Sequence, residues 1–272
     1  MFTILLSLAI LVFVPFLYKA NRNTKDVKVN TISIDQKDGL PARKKLNILH
    51  LSDLHLENIS VSPEELYHLT KDQPVDIIAL TGDFLDRKRN IPKLAGYLNA
   101  LQKLKPAYGM YAVFGNHDYV LKEEDFQRLK RVLEENGCIT LQNEHVRIET
   151  AAGPVNIIGI DDYSTNRSNI TGSYQSLENG YHLVLTHDPN IILDMKDVHY
   201  DYLLSGHFHG GQIHWPKPYH LVKMGKLVRM NMIKGLHYHH DKPFYISEGL
   251  GQTGVNIRVG SRPEVTFHQS FF

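Results

Sequence analysis

Apolar and polar positions fall in blocks along this chain. Five short apolar runs, LNILHLS, DIIALTG, GMYAVFG, YHLVLTH and DYLLSG, each break off into a cluster of polar and turn-forming residues. Runs of this length, rich in Ile, Leu and Val, predict buried strands. Helical patterns follow several of them, as from Ile91 to Leu104 and from Lys122 to Glu135. Strands followed by helices deliver their carboxyl-end loops to one rim of a sheet, so the polar clusters are expected to meet there. After Gly137, CITLQ, HVRIET and VNIIGID read as consecutive strands, and IRVG with EVTFHQ as a closing hairpin or sheet edge. The alternation VKVNTISI, Val27 to Ile34, fits an edge strand. The pattern gives an α/β fold and leaves open one doubly wound sheet or two packed ones.

The clusters carry the chemistry. They read Asp53-Leu54-His55, Gly82-Asp83-Phe84-Leu85-Asp86, Gly115-Asn116-His117-Asp118, His187 and Gly206-His207-Phe208-His209. Carboxylates, imidazoles and an amide carbonyl form a mixed O/N donor set suited to Mn, Fe, Zn or Mg. The only cysteine, Cys138, removes the thiolate option. The candidate ligands outnumber what one tetrahedral ion holds, which implies two ions roughly 3.5–4 Å apart with Asp83 as the natural bridge. Taken singly, Asp53 and Asp86 would be read as turn or helix caps. Asp118 is read as a cap of the following helix and His214 as a surface residue. Of the 16 histidines, His237, His239 and His240 lie in a loop-rich stretch and are assigned to solvated surface.

The ordered set D-x-H, G-D-x-x-D, G-N-H-D, a lone His and G-H-x-H resembles the calcineurin-like metallophosphoesterases over about residues 46 to 268. GHFHGGQIHWP, SEGLGQTG and SRPE are similar to the bacterial membrane-associated branch. That resemblance implies a four-layer β-sandwich of α/β type flanked by helices. It also implies one metal at Asp53, His55, Asp83 and His209, and a second at Asp83, Asn116, His187 and His207. His117 is then free to act as general acid or transition-state donor, paired with Asp86. The implied reaction is attack on phosphorus by a metal-bridging hydroxide, with inversion and no phosphoenzyme. Mn2+ is the expected metal.

The segment Phe2 to Tyr18, FTILLSLAILVFVPFLY, is uncharged and just reaches the lower length limit for spanning a bilayer, roughly 17 residues. It lacks the basic start and small-residue cleavage site of a secretory signal, so an uncleaved transmembrane anchor over 1–18 is expected. A polar linker over 19–45 and a catalytic domain over 46–272 follow. Lys19, Arg22, Lys25 and Lys28 come after the run, which places the catalytic domain on the cytoplasmic side of a single-pass cell-membrane protein.

Composition bounds the rest. A chain of 272 residues, 42% hydrophobic, with a net charge of +1, describes one well-cored domain after the anchor. Its balanced charge shows no nucleic-acid footprint, and the juxtamembrane bases and Arg43, Lys44 and Lys45 suit anionic headgroups.

Relatives in the resembling branch act on phosphodiester or pyrophosphate bonds of lipid-linked sugar nucleotides such as UDP-diacylglucosamine, so the expected partners are a phosphoester substrate of lipid character and a membrane. The alternatives are a phosphomonoesterase or protein phosphatase, and a catalytically silent membrane scaffold. Arg87 favours a protein phosphatase, but Lys88 and Asp118 stand where that group has Gly and Glu. The loop Asp162 to Ser176 is long enough to cover the site, with Arg167 in reach of a phosphate or in solvent. Trp215 to Met232 mixes apolar and basic residues, fitting a membrane surface or core packing.

Overall fold

Each of the five apolar runs forms a strand. The structure, a computed structural model, describes residues 2–35, 44–215 and 217–272, and the side chains of these apart from 2–10, 12, 35, 219 and 220. In chain order the elements are α1 (Phe2–Arg22), β1 (Lys28–Asp35), β2 (Lys45–Leu51), α2 (Pro63–Thr70), β3 (Ile77–Thr81), α3 (Ile91–Gln102), β4 (Met110–Val113), α4 (Glu123–Glu135), β5 (Cys138–Thr140), β6 (Glu144–Thr150), β7 (Gly153–Gly159), α5 (Ile170–Ser173), β8 (Tyr181–Leu185), β9 (Tyr202–Ser205), α6 (Lys226–Arg229), β10 (Gly235–His239), β11 (Lys242–Ile246) and β12 (Glu264–Phe271). Local sequence sets the boundaries. At α2, for example, Ser62 accepts the Glu65 amide and the Glu65 carboxylate accepts the Ser62 amide, with Pro63 opening the first turn.

Two six-stranded sheets result, ordered β1-β12-β2-β3-β4-β5 and β10-β11-β9-β8-β7-β6. β2 to β5 run parallel, as do β7, β8, β9 and β11, whereas β6 and β10 are antiparallel edges. Strand periodicity splits the buried side chains into layers. Leu49, Ile78, Leu80 and Ala112 face α2, α3 and α4, meeting Leu66, Leu98 and Leu129. Ile48, Ile77, Ala79 and Val113 face the other sheet and meet Val155, Leu183 and Leu204. Val184, Leu203 and Phe244 pack outward under Ile191, Leu221 and Leu227. The mixed sheets with flanking helices fit the expected α/β class. The outer cover of the second sheet is made of short turns and four-residue helices, with Pro189 opening one turn and Gly225 preceding α6.

Two expectations are corrected. Glu264–Phe271 is neither a hairpin arm nor an edge, because β1 pairs with it in parallel and covers it on the side away from β2. Residues 257–260 form only a single bridge, Ile213 to Val259, because Arg258 turns inward instead of joining a ladder. Among the described residues no helix is long and apolar enough to cross a membrane, so the transmembrane helix expected at 1–18 gains no support here. Much of that segment's side chains, and Arg43, lie outside the described residues. The carboxyl end of α1 is fastened to the domain: the Arg258 amide donates to the Ala20 carbonyl at 2.9 Å, and Asn23 Nδ2 donates to the Arg258 carbonyl at 2.8 Å.

Candidate metal centre

The rim where β2, β3, β4, β8 and β9 end collects the polar clusters. β2 leads to Asp53 and His55, β3 to Asp83 and Asp86, β4 to Asn116 and His117, β8 to His187, and β9 to His207 and His209. Five of these residues hold the left-handed backbone region: Asp53 (φ 51°), His55 (φ 37°), Asp83 (φ 54°), His207 (φ 77°) and His209 (φ 50°). L-residues avoid it at a cost on the order of 1 kcal/mol each, so surrounding bonds must hold them there. The Asp53 amide donates to the Gly82 carbonyl at 2.9 Å and the His55 amide to the Asp83 carbonyl at 3.0 Å. Close approach also needs missing side chains. A Cβ at Gly115 would run into the Asp83 carboxylate, and one at Gly206 into Ser52 Oγ and Asp53 Oδ2.

Four overlapping donor groups form among the described residues, the donor atoms of each lying within 4.8 Å of one another. Two clusters, Asp53 with His55 and His209 and Asp83 with His187 and His207, are wholly buried, while His117 joins His55 and Asp83 in a third group and Glu57 and Asp86 join His55 in a fourth. His209 Nε2 stands 3.2 Å from Asp53 Oδ1, and His187 Nε2 3.1 Å from Asp83 Oδ2. Asp83 Oδ2 is also 3.5 Å from His55 Nε2, so its carboxylate borders both clusters. All six residues are buried. Asn116 Oδ1 is buried with no hydrogen-bond partner, and a bare amide carbonyl beside these groups is what a cation would satisfy. The donor set fits divalent metals.

Electrostatics follow from burial and proximity. Burial alone would raise the Asp83 carboxyl, but His187, His55 and His117 outweigh it and hold it well below the usual range. Burial lowers His209 to about 3, against the pull of Asp53, leaving a neutral imidazole able to donate a lone pair. His117 differs. Burial would lower it, yet the Asp86 carboxylate, 3.7 Å from Nδ1, and Asp83 push it up to about 9. Asp86 is correspondingly lowered, first by His117 and then by His55. His117 keeps 27% side-chain exposure and lines the cavity beside the clusters.

Other residues hold the loops in place. Asp118 does not serve mainly as a helix cap: its buried carboxylate accepts the amides of Asp83, Phe84, Leu85 and Gly115, stitching the GDFLD loop to the GNHD loop. Burial and then Asp83 push its carboxyl up to about 7, against the pull of the Gly115 amide, His187 and the Leu85 amide. Thr253 Oγ1 lies 3.2 Å from both His55 Nε2 and His209 Nε2. Arg258, fully buried, donates to the carbonyls of His209, Glu248, Gly249 and Gly251. Asp118 was visible as the last letter of GNHD. Thr253 falls inside SEGLGQTG, but that segment does not show that its hydroxyl meets two imidazoles, and nothing in IRVG marks Arg258.

The remaining candidates separate. Arg167 stacks on Tyr119 at 4.0 Å instead of reaching toward the clusters, although Tyr163, Ser164, Asn166 and Ser168 of its loop line an adjoining cavity. His237 and His239 lie on the edge strand β10 and belong to none of the donor clusters among the described residues. In the 215–232 segment Leu221 and Leu227 are core, whereas Trp215, Val222 and Met230 are exposed.

Comparison with known proteins agrees with this geometry. The calcineurin-like phosphoesterase family model matches residues 46–211. The metallophosphoesterase YkuE of Bacillus subtilis is 26% identical over 226 residues, 80% of this chain and 77% of that protein. Phosphodiesterase YaeI of Escherichia coli is 29% identical over 227 residues, 80% of each chain. A transmembrane protein with metallophosphoesterase domain from Bos taurus is 26% identical over 259 residues, 88% of this chain and 56% of that protein. Family and clustered side chains together point to a dinuclear divalent-metal site. The chain therefore belongs to the calcineurin-like phosphoesterase family and is a metal-dependent hydrolase of phosphoester bonds.

Proposed function

We propose that the chain cleaves a phosphodiester or pyrophosphate bond in a membrane lipid or lipid-linked sugar nucleotide. In this reading Asp53, His55, Asp83 and His209 hold one cation, and Asp83, Asn116, His187 and His207 the other, with Mn2+ taken as the metal among the divalent ions that the O/N donors suit. The observation that carries it is the Asp83 carboxylate, within 3.5 Å of an imidazole nitrogen from each cluster. Two divalent cations, when bound, supply a water of lowered pKa and neutralise charge on the phosphate oxygens.

The chain's own groups do the rest. Asn116 contributes a neutral oxygen, which leaves the site net positive toward a phosphate anion. His117 donates a proton to the departing oxygen, and Asp86 orients its ring and favours its charged form. A diester is supported by the apolar cavity wall of Phe208, Ile213, Leu221 and Val255 beside the clusters, which gives a second ester substituent a place to lie. The name of the E. coli relative agrees.

Membrane attachment through α1 is supported by the exposed side chains of Leu11, Phe13, Val14 and Phe16, by the basic residues that follow, and by the name of the bovine relative. The test is hydrolysis of bis-p-nitrophenyl phosphate beside p-nitrophenyl phosphate by the full chain in detergent with Mn2+. Faster, metal-dependent cleavage of the diester is expected. Cleavage of the monoester alone would move the reading to a phosphomonoesterase.

A further inference from the structure

A second cavity adjoins the metal centre. The first, about 390 Å³, is lined by Asp83, Asn116 and His117 together with the apolar wall. The second, about 660 Å³, meets it at His207 and Met224. Its character is opposite: Ser164, Asn166, Ser168, Asp194, Lys223 and Lys226 line it. The segment carrying both lysines is pinned, since Asn190 Nδ2 donates to the Met224 carbonyl at 2.9 Å and Asn190 Oδ1 accepts the Leu227 amide at 3.3 Å. Among the described residues neither lysine ammonium pairs with a carboxylate.

We propose that the second cavity is a subsite for the polyhydroxyl headgroup of an amphiphilic phosphodiester whose apolar substituent lies in the first cavity. The inference rests on the hydrolase reading above and adds the orientation of the substrate. A surface that mixes hydroxyls, amides and both signs of charge offers donors and acceptors together, which suits alcohol groups that are themselves both. A phosphate centred near His207 then has one ester arm on each side of Met224.

The arrangement also selects the bond that breaks. His117 lines the first cavity and not the second, so the oxygen it can protonate belongs to the apolar arm. Water oxygen joins phosphorus, the P–O bond to the apolar alcohol breaks, and that alcohol leaves with the proton from His117. The headgroup departs as its phosphomonoester.

The experiment uses the full chain in detergent with Mn2+ and three probes: dihexanoyl phosphatidylglycerol, dihexyl phosphate and bis-p-nitrophenyl phosphate. Phosphatidylglycerol should be cleaved with kcat/KM at least about tenfold above dihexyl phosphate, giving glycerol phosphate and dihexanoylglycerol by mass spectrometry. Asn166→Ala, and separately the pair Lys223→Ala with Lys226→Ala, should raise KM for phosphatidylglycerol several-fold more than KM for bis-p-nitrophenyl phosphate. No preference over dihexyl phosphate, phosphatidic acid as the product, or equal KM changes for both substrates would each overturn the subsite. Failure on bis-p-nitrophenyl phosphate as well would instead overturn the hydrolase reading on which it rests.

Discussion

His187 Nδ1 is bonded to the Thr81 carbonyl at 2.7 Å, joining the ends of β8 and β3 across the two sheets. A carbonyl only accepts, so Nδ1 carries the proton and Nε2 is the atom turned to Asp83. The sheet packing itself thus sets the ring for metal binding. His187→Ala is expected to lower metal content toward one ion per chain and turnover by at least about 100-fold. Metal analysis of the purified variant beside its rate checks both. Two ions retained would remove His187 from the proposed ligands.

His117 is assigned a different task, so its loss should look different. His117→Ala should keep both metals while turnover falls by roughly 10²–10⁴, the range for a lost acid–base group. Asp86→Asn should also lower turnover, since Asp86 orients the His117 ring, and should loosen His55, whose Nδ1 lies 3.4 Å from Asp86 Oδ1. Loss of metal in His117→Ala would contradict the role.

Asp118 answers four amides from two loops. Asp118→Leu removes the acceptor and strands those donors, which should lower unfolding free energy by roughly 1–3 kcal/mol or more. It should also weaken metal binding, although Asp118 contacts no metal in this account. Urea unfolding with metal titration separates this from a purely local change: unchanged affinity would show that the loops stay in place without it.

A pair of buried imidazoles makes the fold sensitive to acid. His50 Nε2 bonds Thr81 Oγ1 and His268 Nδ1 bonds Tyr202 OH, each at 2.8 Å, between the sheets. Burial lowers His50 to about 3, with Asp53 opposing, and holds His268 well below the usual range, helped by His50. The unfolded chain binds these protons near pH 6.5 and the folded chain does not. The stability that these two rings contribute is therefore complete above about 6.5 and declines as pH falls below it, by up to about 1.4 kcal/mol per pH unit for each ring that stays neutral in the fold. Urea midpoints at pH 7.5, 6.5 and 5.5 in EDTA, where metal release makes no contribution, should fall over the last interval, and His268→Gln should flatten the fall. A pH-independent midpoint would contradict it.

Much of this was legible in the sequence because strands and chemistry are punctuated together. LNILHLS, DIIALTG, GMYAVFG, YHLVLTH and DYLLSG are apolar because they are buried in the sheets, and each ends at the rim. What was hidden depends on contacts distant in sequence. Asp118 read as a cap because nothing in GNHD shows that the GDFLD loop lies against it. Arg258 read as part of a strand, IRVG, because alternation does not reveal that a guanidinium has turned inward to bind five carbonyls. Placing β12 at an edge failed for a similar reason, since only the parallel pairing with β1 covers it. The second cavity draws on residues 163–168, 188–194 and 223–226, whose polarity alone reads as solvated loop.

The central claim is that one carboxylate, Asp83, joins two cations. Counting Mn2+ in the purified full chain and in Asp83→Asn by plasma mass spectrometry, with diester hydrolysis measured on the same samples, tests it most directly. Two ions per native chain, with one or none and no turnover in the variant, is the predicted result. A single ion in the native chain, or two ions and undiminished hydrolysis in Asp83→Asn, would contradict it.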